Sequence, residues 1–196
     1  MVKRSLDVAV VLVGLLILTP LMAAIAVLIK LDSPGPVLHR GERVGLDGAH
    51  FGMLKFRSMV AGAAQMGPSI TRGGDPRVTR IGRFLRRTKL DELPNLINVL
   101  KGEMSLVGPR PESPNWVARY TPEHWKTLSV RPGITGLAQA RYRHEEELLA
   151  GADIESAYPA IMEAKLALSL YYVEHRSLAL DLRILWETVV AVLKRS

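Results

Sequence analysis

One uninterrupted apolar segment near the N-terminus limits what this chain can fold into. Residues 8–29 carry no charged side chain, and Thr19 is the only polar side chain among them. As an α-helix these residues would extend about 33 Å, roughly the thickness of the hydrocarbon core of a bilayer. Three interpretations are open: a cleaved signal peptide, a helix that spans the membrane, and a re-entrant helix that enters one leaflet and returns.

The residues around this segment favour the re-entrant helix. The apolar residues continue beyond Ala24-Ile25-Ala26, where a signal peptidase would cut, which argues against a signal peptide. Thr19-Pro20 lies in the middle of the segment, and a proline inside a helix removes a hydrogen bond and bends it. Both flanks are basic, which by the positive-inside rule predicts that both ends stay on the cytoplasmic side. The flanking basic residues are Lys3, Arg4, Lys30, Arg40 and Arg43.

The composition excludes several other classes of protein. The chain has 196 residues, 48% of them hydrophobic, and no cysteine, so it is neither a disulfide-stapled scaffold nor a disordered chain. With 26 Lys and Arg against 19 Asp and Glu, its net charge is +7. A chain that is both basic and apolar is typical of proteins at an anionic membrane surface. Only 6% of the residues are aromatic, so a stacking surface for nucleic acid is not expected.

Local patterns predict an α+β fold that is mostly helical. Two strands, 37–44 and 51–57, would form a hairpin around the turn signal Leu46-Asp47-Gly48, and residues 60–76 would form a loop. Basic residues at helical spacing from Arg77 predict a helix, and a second, amphipathic helix would begin close to Asp91. Turns follow that helix, and further helices are predicted over 144–149, 159–174 and 178–194. The last of these would lie at the membrane interface or pack in the core.

The carboxylate pair Asp91-Glu92 is the strongest candidate for chemistry. The sequence lacks the phosphate-binding glycine motifs, and its histidines have no metal-ligand spacing. An Asp-Glu pair at a helix start is often only a cap. Here the pair follows a dense run of arginines, which bind phosphate oxygens, and a carboxylate together with substrate phosphates is a typical Mg²⁺ site. One carboxylate could then bind the metal while the other attacks phosphorus.

The chain resembles the monotopic phosphoglycosyl transferases, which are bacterial sugar transferases, in the small form that comprises only the catalytic domain. The resemblance covers nearly the whole chain. Its most specific part is Leu90-Asp91-Glu92-Leu93-Pro94 together with residues 98–111, which end in Gly108-Pro109-Arg110-Pro111. Further matching segments are residues 3–7, 33–36, 41–45, 55–59, 75–82, 131–139 and 177–185.

This resemblance implies a reaction and a location. Such enzymes transfer a sugar 1-phosphate from a UDP-sugar to undecaprenyl phosphate, a polyprenyl phosphate, and release UMP. The chain would therefore have a re-entrant anchor over 1–31 and a catalytic domain over 32–196 on the cytoplasmic face of the inner membrane. Its partners would be the UDP-sugar, the polyprenyl phosphate and membrane lipids, without nucleic acid. A homodimer is compatible with the sequence, although no residue requires one.

The resemblance also implies roles for individual residues. Asp91 would be the nucleophile that forms a covalent phosphosugar intermediate, and Glu92 would bind Mg²⁺. Arg86 and Arg110 would bind phosphate, with Arg131 and Arg141 as further phosphate-binding candidates. Supporting polar residues would be Asp181, Lys55 and Arg57, and Thr19-Pro20 would be the break of the membrane helix.

The chain departs from the family pattern at three places. Ser169 stands where relatives usually have Asp, His39 replaces an aromatic residue, and residues 141–160 run differently, so the transferred sugar stays open. Two rival functions also remain at this point. One is a membrane-tethered module that binds acidic lipids or a partner without catalysis, and the other is a phosphohydrolase that uses the same aspartate with water as acceptor.

Overall fold

Helices form most of the fold, and two small two-stranded sheets complete it. The computed structural model describes residues 2–67, 74–142, 149 and 154–193. The helices are α1 Val2–Asp32, α2 Arg80–Thr88, α3 Asn95–Lys101, α4 Pro114–Val117, α5 Leu137–Arg141, α6 Ile154–His175 and α7 Leu178–Leu193. The strands are β1 Leu38–Val44, β2 His50–Phe56, β3 Ser105–Val107 and β4 Gly133–Thr135. The described residues also form four short 3-10 helices: Leu46–Gly48, Ala63–Gln65, Leu90–Glu92 and His124–Ser129. The predicted mostly helical α+β class is confirmed.

The apolar segment forms the long helix α1, as predicted. Within the described ranges it is the one helix that is long and apolar enough to cross a membrane. Pro20 lies inside it, and the hydroxyl of Thr19 donates to the carbonyl of Leu15 at 2.6 Å. Such back-bonding and a mid-helix proline both bend helices. The secondary structure runs on through this point, so a break at Thr19-Pro20 stays a prediction.

The N-terminal part of α1 is fastened to the rest of the chain. Val11 is fully buried in a cluster with Val99 and Met104. Polar bonds secure the same end: Lys3 Nζ lies 2.7 Å from Asp181 Oδ2, Arg4 Nη1 donates to the carbonyl of Val99 at 2.7 Å, and the Ser105 hydroxyl donates to Asp7 Oδ2 at 2.7 Å. Because three separate elements supply these partners, this end of α1 is an integral part of the fold.

The C-terminal part of α1 packs against the same body. Ile25 and Ile29 are buried with Phe56 of β2 and Leu85 of α2. The amide of Ile81 donates to Asp32 Oδ2 at 3.1 Å, which joins the end of α1 to α2. Between the two ends, large apolar side chains are exposed, among them Leu12, Val13, Leu16, Ile17 and Leu21. Helix α1 therefore contacts the fold near both ends and exposes apolar side chains along its whole length, since Leu6, Leu28 and Leu31 are exposed as well. The division into an anchor over 1–31 and a domain over 32–196 stays a prediction.

The predicted hairpin is present and is tied to α3. Strands β1 and β2 are antiparallel, with Leu38 opposite Phe56 and Val44 opposite His50. The turn contains Asp47 and Gly48, both at positive φ (52° and 80°), the conformation that favours an Asp-Gly pair. Asn98 of α3 accepts a hydrogen bond from the amide of Leu54 at 3.0 Å and donates to the carbonyl of Gly52 at 2.9 Å. This side chain fixes the hairpin against the helix that follows Asp91-Glu92.

Helix α2 begins later than predicted. The arginine spacing predicted helix from Arg77, but α2 starts at Arg80 because Thr79 caps it, with its hydroxyl oxygen accepting from the amide of Gly82 at 2.9 Å. Arg77 instead lies before the helix, buried in an ion pair with Asp75 at 2.7 Å. Spacing alone did not distinguish a helical arginine from one in the preceding turn.

The next helix also begins later than its sequence pattern indicated. The prediction placed its start near Asp91, whereas α3 begins at Asn95 and residues 90–92 form a separate 3-10 helix. Lys89 causes the separation, because its φ of 60° ends α2 in the left-handed region. The chain therefore turns sharply just before the carboxylate pair.

The parallel pair β3–β4 is absent from the sequence prediction, which placed turns there. Ser105 lies opposite Gly133 and Val107 opposite Thr135. Gly108 and Gly133 bring their backbones so close that a Cβ on Gly133 would collide with the amide nitrogen of Gly108. These glycines are therefore required by close backbone approach.

Both predicted C-terminal helices are present, although the first of them begins at Ile154 rather than at residue 159. The predicted helices over 159–174 and 178–194 correspond to α6 and α7, whereas the predicted helix over 144–149 lies outside the described residues except for Leu149. Helix α7 buries Ile184 and Asp181 on one side. Its opposite side exposes Leu178, Leu182, Trp186 and Val189.

Candidate functional site

A cavity of about 890 Å³ opens between the hairpin, α2, α3 and α6. Asp91 and Glu92 line it, and many of the surrounding side chains are cationic. The basic residues in its wall are Arg43, Lys55, Arg57, Arg77, Arg86, Lys89, Arg110 and Lys165. Against these, the acidic residues in the described wall are Asp91, Glu92 and Glu112. The charge of the wall favours an anionic ligand.

The backbone around Lys89 sets the direction of the carboxylate pair. Lys89 stands in the left-handed conformation between α2 and the 3-10 helix Leu90–Glu92. A non-glycine residue there costs free energy, and such residues concentrate at functional sites. The short turn that follows brings Asp91 and Glu92 into the cavity beside Lys89 itself.

Glu92 is held as a carboxylate by two cations. Lys55 Nζ lies 2.7 Å from Glu92 Oε1, and Arg110 Nη2 lies 3.2 Å from the same oxygen. Burial by itself would raise the pKa of Glu92, but the charges of Lys55 and Arg110 outweigh it and hold the pKa well below its ordinary value. Glu92 is therefore ionised at neutral pH.

Asp91 has the opposite environment, although it is the adjacent residue. Its side chain is buried, with 7% of the residue exposed, and Oδ1 has no hydrogen-bond partner among the residues that the structure describes. Burial raises the pKa of Asp91; Lys55 acts against this shift and the charge of Glu92 adds to it. A buried oxygen without a partner costs free energy, so its presence here indicates a functional group.

The two cations that hold Glu92 are themselves positioned by the backbone. Lys55 follows Leu54, whose amide is bound by Asn98, so the strand next to Lys55 is fixed to α3. Arg110 follows the Gly108 crossing, where the amide of Gly108 donates to the carbonyl of Thr135 at 3.0 Å. Both cations therefore reach Glu92 from rigid backbone.

Two other predicted residues, Arg86 and Arg57, also line the cavity, but Arg57 makes its hydrogen bonds to the backbone after α1. Arg86 is in the last turn of α2, lines the cavity, and its charge lowers the pKa of Asp91. Arg57 borders the cavity, but its guanidinium donates to the carbonyl groups of Ser33 at 2.6 Å and Pro34 at 2.7 Å. Arg57 thus secures the chain just after α1, and a phosphate contact for it is not needed to explain its burial.

Three predicted residues lie away from the cavity wall. Arg131 is exposed and its Nε donates to the carbonyl of Gly102 at 2.8 Å, and Arg141 is exposed at the end of α5. Asp181 is buried between Lys3 and the hydroxyl of Tyr172, which donates to it at 2.7 Å. The contacts of Asp181 fasten α1 to α7. A role in phosphate binding for Arg131 and Arg141 stays a prediction.

The sequence reasoning missed several residues of this site. They are Arg43, Lys89, Asn98, Glu112 and Lys165. Arg43 could have been predicted from the hairpin. Alternate residues of a strand share a face, so Arg43 lies on the same face of β1 as His39, and His39 stands opposite Lys55 of β2. Glu112 and Lys165 could not have been predicted, since they lie on separate elements and meet only in the folded chain.

The carboxylate pair would suit a metal ion that takes only one or two ligands from the protein, such as Mg²⁺. Across the described ranges no three His, Cys, Asp or Glu side chains cluster as a metal site would require. Mg²⁺ usually retains several waters and takes one or two carboxylates together with substrate phosphates. Glu92, which is ionised, is the residue that would hold the ion, with Asp91 beside it.

The site combines a carboxylate pair with a cationic cavity wall, and the chain carries one helix long and apolar enough to cross a membrane among its described residues. The family model described as bacterial sugar transferase matches residues 1–195. The chain belongs to the bacterial sugar transferase family, which confirms the resemblance found in its sequence.

Individual relatives match over nearly all of this chain. It is 43% identical over 205 residues to the exopolysaccharide production protein PSS of Rhizobium leguminosarum bv. phaseoli, covering 98% of this chain and 96% of that protein. It is 41% identical over 196 residues to the UDP-glucose:undecaprenyl-phosphate glucose-1-phosphate transferase of Caulobacter vibrioides, covering 97% and 69%.

A third relative is much longer than this chain. It is the UDP-N-acetylgalactosamine-undecaprenyl-phosphate N-acetylgalactosaminephosphotransferase of Aeromonas hydrophila, 39% identical over 195 residues. The match covers 98% of this chain but only 44% of that protein.

Proposed function

We propose that this protein is a phosphoglycosyl transferase that moves a sugar 1-phosphate from a UDP-sugar to undecaprenyl phosphate and releases UMP. The observation that carries the proposal is the unequal carboxylate pair: Glu92 is neutralised by Lys55 and Arg110, whereas Asp91 keeps a buried oxygen without a partner among the described residues. The names of the relatives in Caulobacter and Aeromonas, which specify undecaprenyl-phosphate sugar phosphotransferases, support the same substrates. The product would enter a glycan pathway such as exopolysaccharide synthesis.

In the first step the carboxylate of Asp91 attacks the phosphorus that carries the sugar. A bond forms between Asp91 and phosphorus, the bond from that phosphorus to the bridging oxygen breaks, and UMP leaves with the bridging oxygen and its electron pair. Arg86 and Arg110 bind the phosphate oxygens as charge moves onto the leaving group. The product of this step is an aspartyl phosphosugar.

In the second step the phosphate of the polyprenyl carrier attacks the same phosphorus. The bond to Asp91 breaks, its carboxylate is regenerated, and the sugar is left on a polyprenyl diphosphate. A covalent relay lets one water-soluble and one membrane-bound substrate use the site in turn. Phosphoryl transfer requires positioning and charge neutralisation more than acid–base groups, which agrees with a site rich in Lys and Arg.

Magnesium would be held by Glu92, with Asp91 beside it. When bound, the ion supplies positive charge that neutralises the diphosphate of the donor. Lys55 and Arg110 keep the Glu92 carboxylate ionised and oriented, so that the site needs little reorganisation.

The contacts of α1 support a monotopic arrangement. A helix that spanned the bilayer would place its two ends on opposite sides. Here Val11 in the first half of α1 and Ile29 near its end are both buried against one body of the fold. The exposed apolar side chains of α1 would enter one leaflet, and the exposed apolar side of α7 would lie at the interface. The basic residues on both sides of the apolar segment are the reason to propose the cytoplasmic face of the inner membrane.

A panel of UDP-sugars tests the proposed function. The full chain in lipid nanodiscs, with undecaprenyl phosphate and Mg²⁺, is expected to release UMP from at least one donor and to form a lipid-linked sugar diphosphate. Free sugar phosphate without a lipid product would indicate a phosphohydrolase. Absence of UMP release from every donor would indicate a non-catalytic binding module.

A further inference from the structure

A second polar cluster lies in the wall of the same cavity, apart from the carboxylate pair. Lys165 of α6 is almost fully buried, with 4% of the residue exposed, and its Nζ lies 3.3 Å from Glu112 Oε1. The same ammonium donates to the hydroxyl of Tyr158 at 3.2 Å. Glu112, Tyr158 and Lys165 all line the cavity.

The backbone places this cluster close to the phosphate-binding residues. Glu112 is two residues beyond Arg110, and its carbonyl accepts from the amide of Val44 at 3.0 Å. Arg43, the residue before Val44, interacts electrostatically with Glu112, Arg110 and Glu92. A ligand whose phosphate lies between Arg110 and Asp91 would therefore extend its adjoining group towards Glu112.

Two aromatic rings form the apolar part of this wall. The rings of Trp116 and Tyr158 are tilted by 56° with their centroids 4.6 Å apart, and both residues are buried and line the cavity. The guanidinium of Arg119 lies 4.4 Å from the centroid of the Trp116 ring. Aromatic rings next to a fixed charged pair form a surface for a ligand that has both C–H and O–H groups.

Stability alone does not account for the buried pair. Taking a lysine and a glutamate out of water is costly, and apolar residues of similar volume often stabilise a fold as well or better. The position of both groups in the cavity wall gives a second reason for their presence. The carboxylate accepts hydrogen bonds and the ammonium donates them, so together they match neighbouring hydroxyl groups.

We propose that Glu112 and Lys165 bind the hydroxyl groups of the hexose of the donor, packed against Trp116 and Tyr158, and thereby set which sugar is transferred. The inference rests on the proposed function and extends it to the sugar subsite. Uracil offers this cluster a single N–H donor in its pairing edge. A hexose offers several hydroxyl groups, each of which can donate to Glu112 or accept from Lys165.

Binding measurements on a non-reacting background separate this inference from turnover. Full-length Asp91→Asn in nanodiscs, with Mg²⁺, is titrated with UMP, UDP and a panel of UDP-hexoses. We expect one UDP-hexose to bind more tightly than UDP, and Glu112→Gln or Lys165→Met added to this background to reduce that affinity by about 10- to 100-fold, the range for charged hydrogen bonds. The affinity for UMP is expected to stay unchanged.

Two further variants keep the experiment decisive. Glu112→Asp retains the charge but shortens the side chain by one methylene. It should therefore alter the order of affinities among the UDP-hexoses, even if Glu112→Gln folds poorly. Glu163→Gln, on the same helix as Lys165 but exposed in a pair with His124, is the matched control and should leave the ranking unchanged.

The outcomes are distinguishable. A parallel loss of affinity for UMP and for all donors would overturn the sugar assignment in favour of uridine recognition, and unchanged hexose affinities would remove the subsite. If the wild type selected one UDP-hexose but transferred no sugar phosphate, the proposed function would fail while the subsite remained. If no uridine nucleotide bound at all, the proposed function and the sugar subsite would both be wrong.

Discussion

Lys55 donates to Glu92 at 2.7 Å, and the charge of the same ammonium is the main influence that lowers the pKa of the neighbouring Asp91 against the effect of burial. One lysine thus acts on both carboxylates, holding Glu92 ionised and limiting the rise that burial causes in Asp91. Lys55 of β2 is thus the main cation that favours the ionised form of the proposed nucleophile, with Lys89 and Arg86 acting in the same direction.

Replacement of Lys55 should move the acid limb of the pH profile. The proposed nucleophile is inactive when protonated, so kcat/KM falls as the pH drops through the raised pKa of Asp91. Lys55→Met removes a charge that lowers this pKa, so the fall should occur at a higher pH, with a loss of about 10²-fold at neutral pH. Lys55→Arg should restore much of the profile. Lys101→Met, an exposed lysine of α3, is the control and should leave it unaltered.

Asp91→Asn should stabilise the fold at neutral pH while it removes turnover. The pKa of Asp91 is higher in the folded than in the unfolded state, so its protonated form favours folding and that advantage is lost as the pH rises through the folded pKa. Asparagine avoids the cost of the buried charge, and the melting temperature should rise by a few degrees at pH 7. The gain should vanish below the ordinary pKa of aspartate. Thermal unfolding of wild type, Asp91→Asn and the exposed control Glu123→Gln checks this prediction. A melting temperature of Asp91→Asn no higher than that of wild type would contradict the assigned burial cost.

Labelling of single cysteines should place both ends of α1 on the cytoplasmic side. The natural chain has no cysteine, so Val2→Cys introduces a unique site. A membrane-impermeant maleimide should label it in inverted membrane vesicles and not in intact spheroplasts. Glu123→Cys, on an exposed 3-10 helix flank of the main body, should label in the same way. Labelling of Val2→Cys from outside spheroplasts would establish a spanning helix.

Removal of divalent cations should abolish turnover, and Glu92 should determine how much Mg²⁺ is needed. Excess chelator is expected to stop UMP release, and Mg²⁺ to restore it. Glu92→Gln keeps the shape of the side chain but loses its charge, so the half-saturating Mg²⁺ concentration should rise by about tenfold or more. The exposed Glu187→Gln provides the control. Activity that persisted in chelator would remove the metal from the mechanism.

Much of the fold was predictable because its patterns are local. The apolar run predicted α1, the Asp47-Gly48 signal predicted the hairpin turn, and the periodic apolar residues after Ser177 predicted α7. Each of these features depends on residues within a few turns or strand positions of one another. The exact starts of α2 and α3 depended on single residues, Thr79 as a cap and Lys89 at positive φ, which periodicity does not detect.

The candidate site was only partly predictable from the sequence. Asp91, Glu92, Arg86 and Arg110 stood out through motif and resemblance, and the structure places all four around one cavity. Lys165 and Glu112 are 53 positions apart, and Asp181 meets Lys3 across nearly the whole chain, so no local pattern relates them. The short strands β3 and β4 were missed because three residues are too few to show an alternating pattern.

Capture of the covalent intermediate on Asp91 is the decisive measurement for the proposed mechanism. The full chain is incubated with its UDP-sugar donor and Mg²⁺ in the absence of polyprenyl phosphate, and UMP release and intact protein mass are measured together. The account predicts close to one UMP per protein and a mass increase of one sugar phosphate, located on Asp91 by fragmentation and lost when polyprenyl phosphate is added. Asp91→Asn should show neither. UMP release that occurs only when polyprenyl phosphate is present, with no adduct on Asp91, would contradict the covalent mechanism.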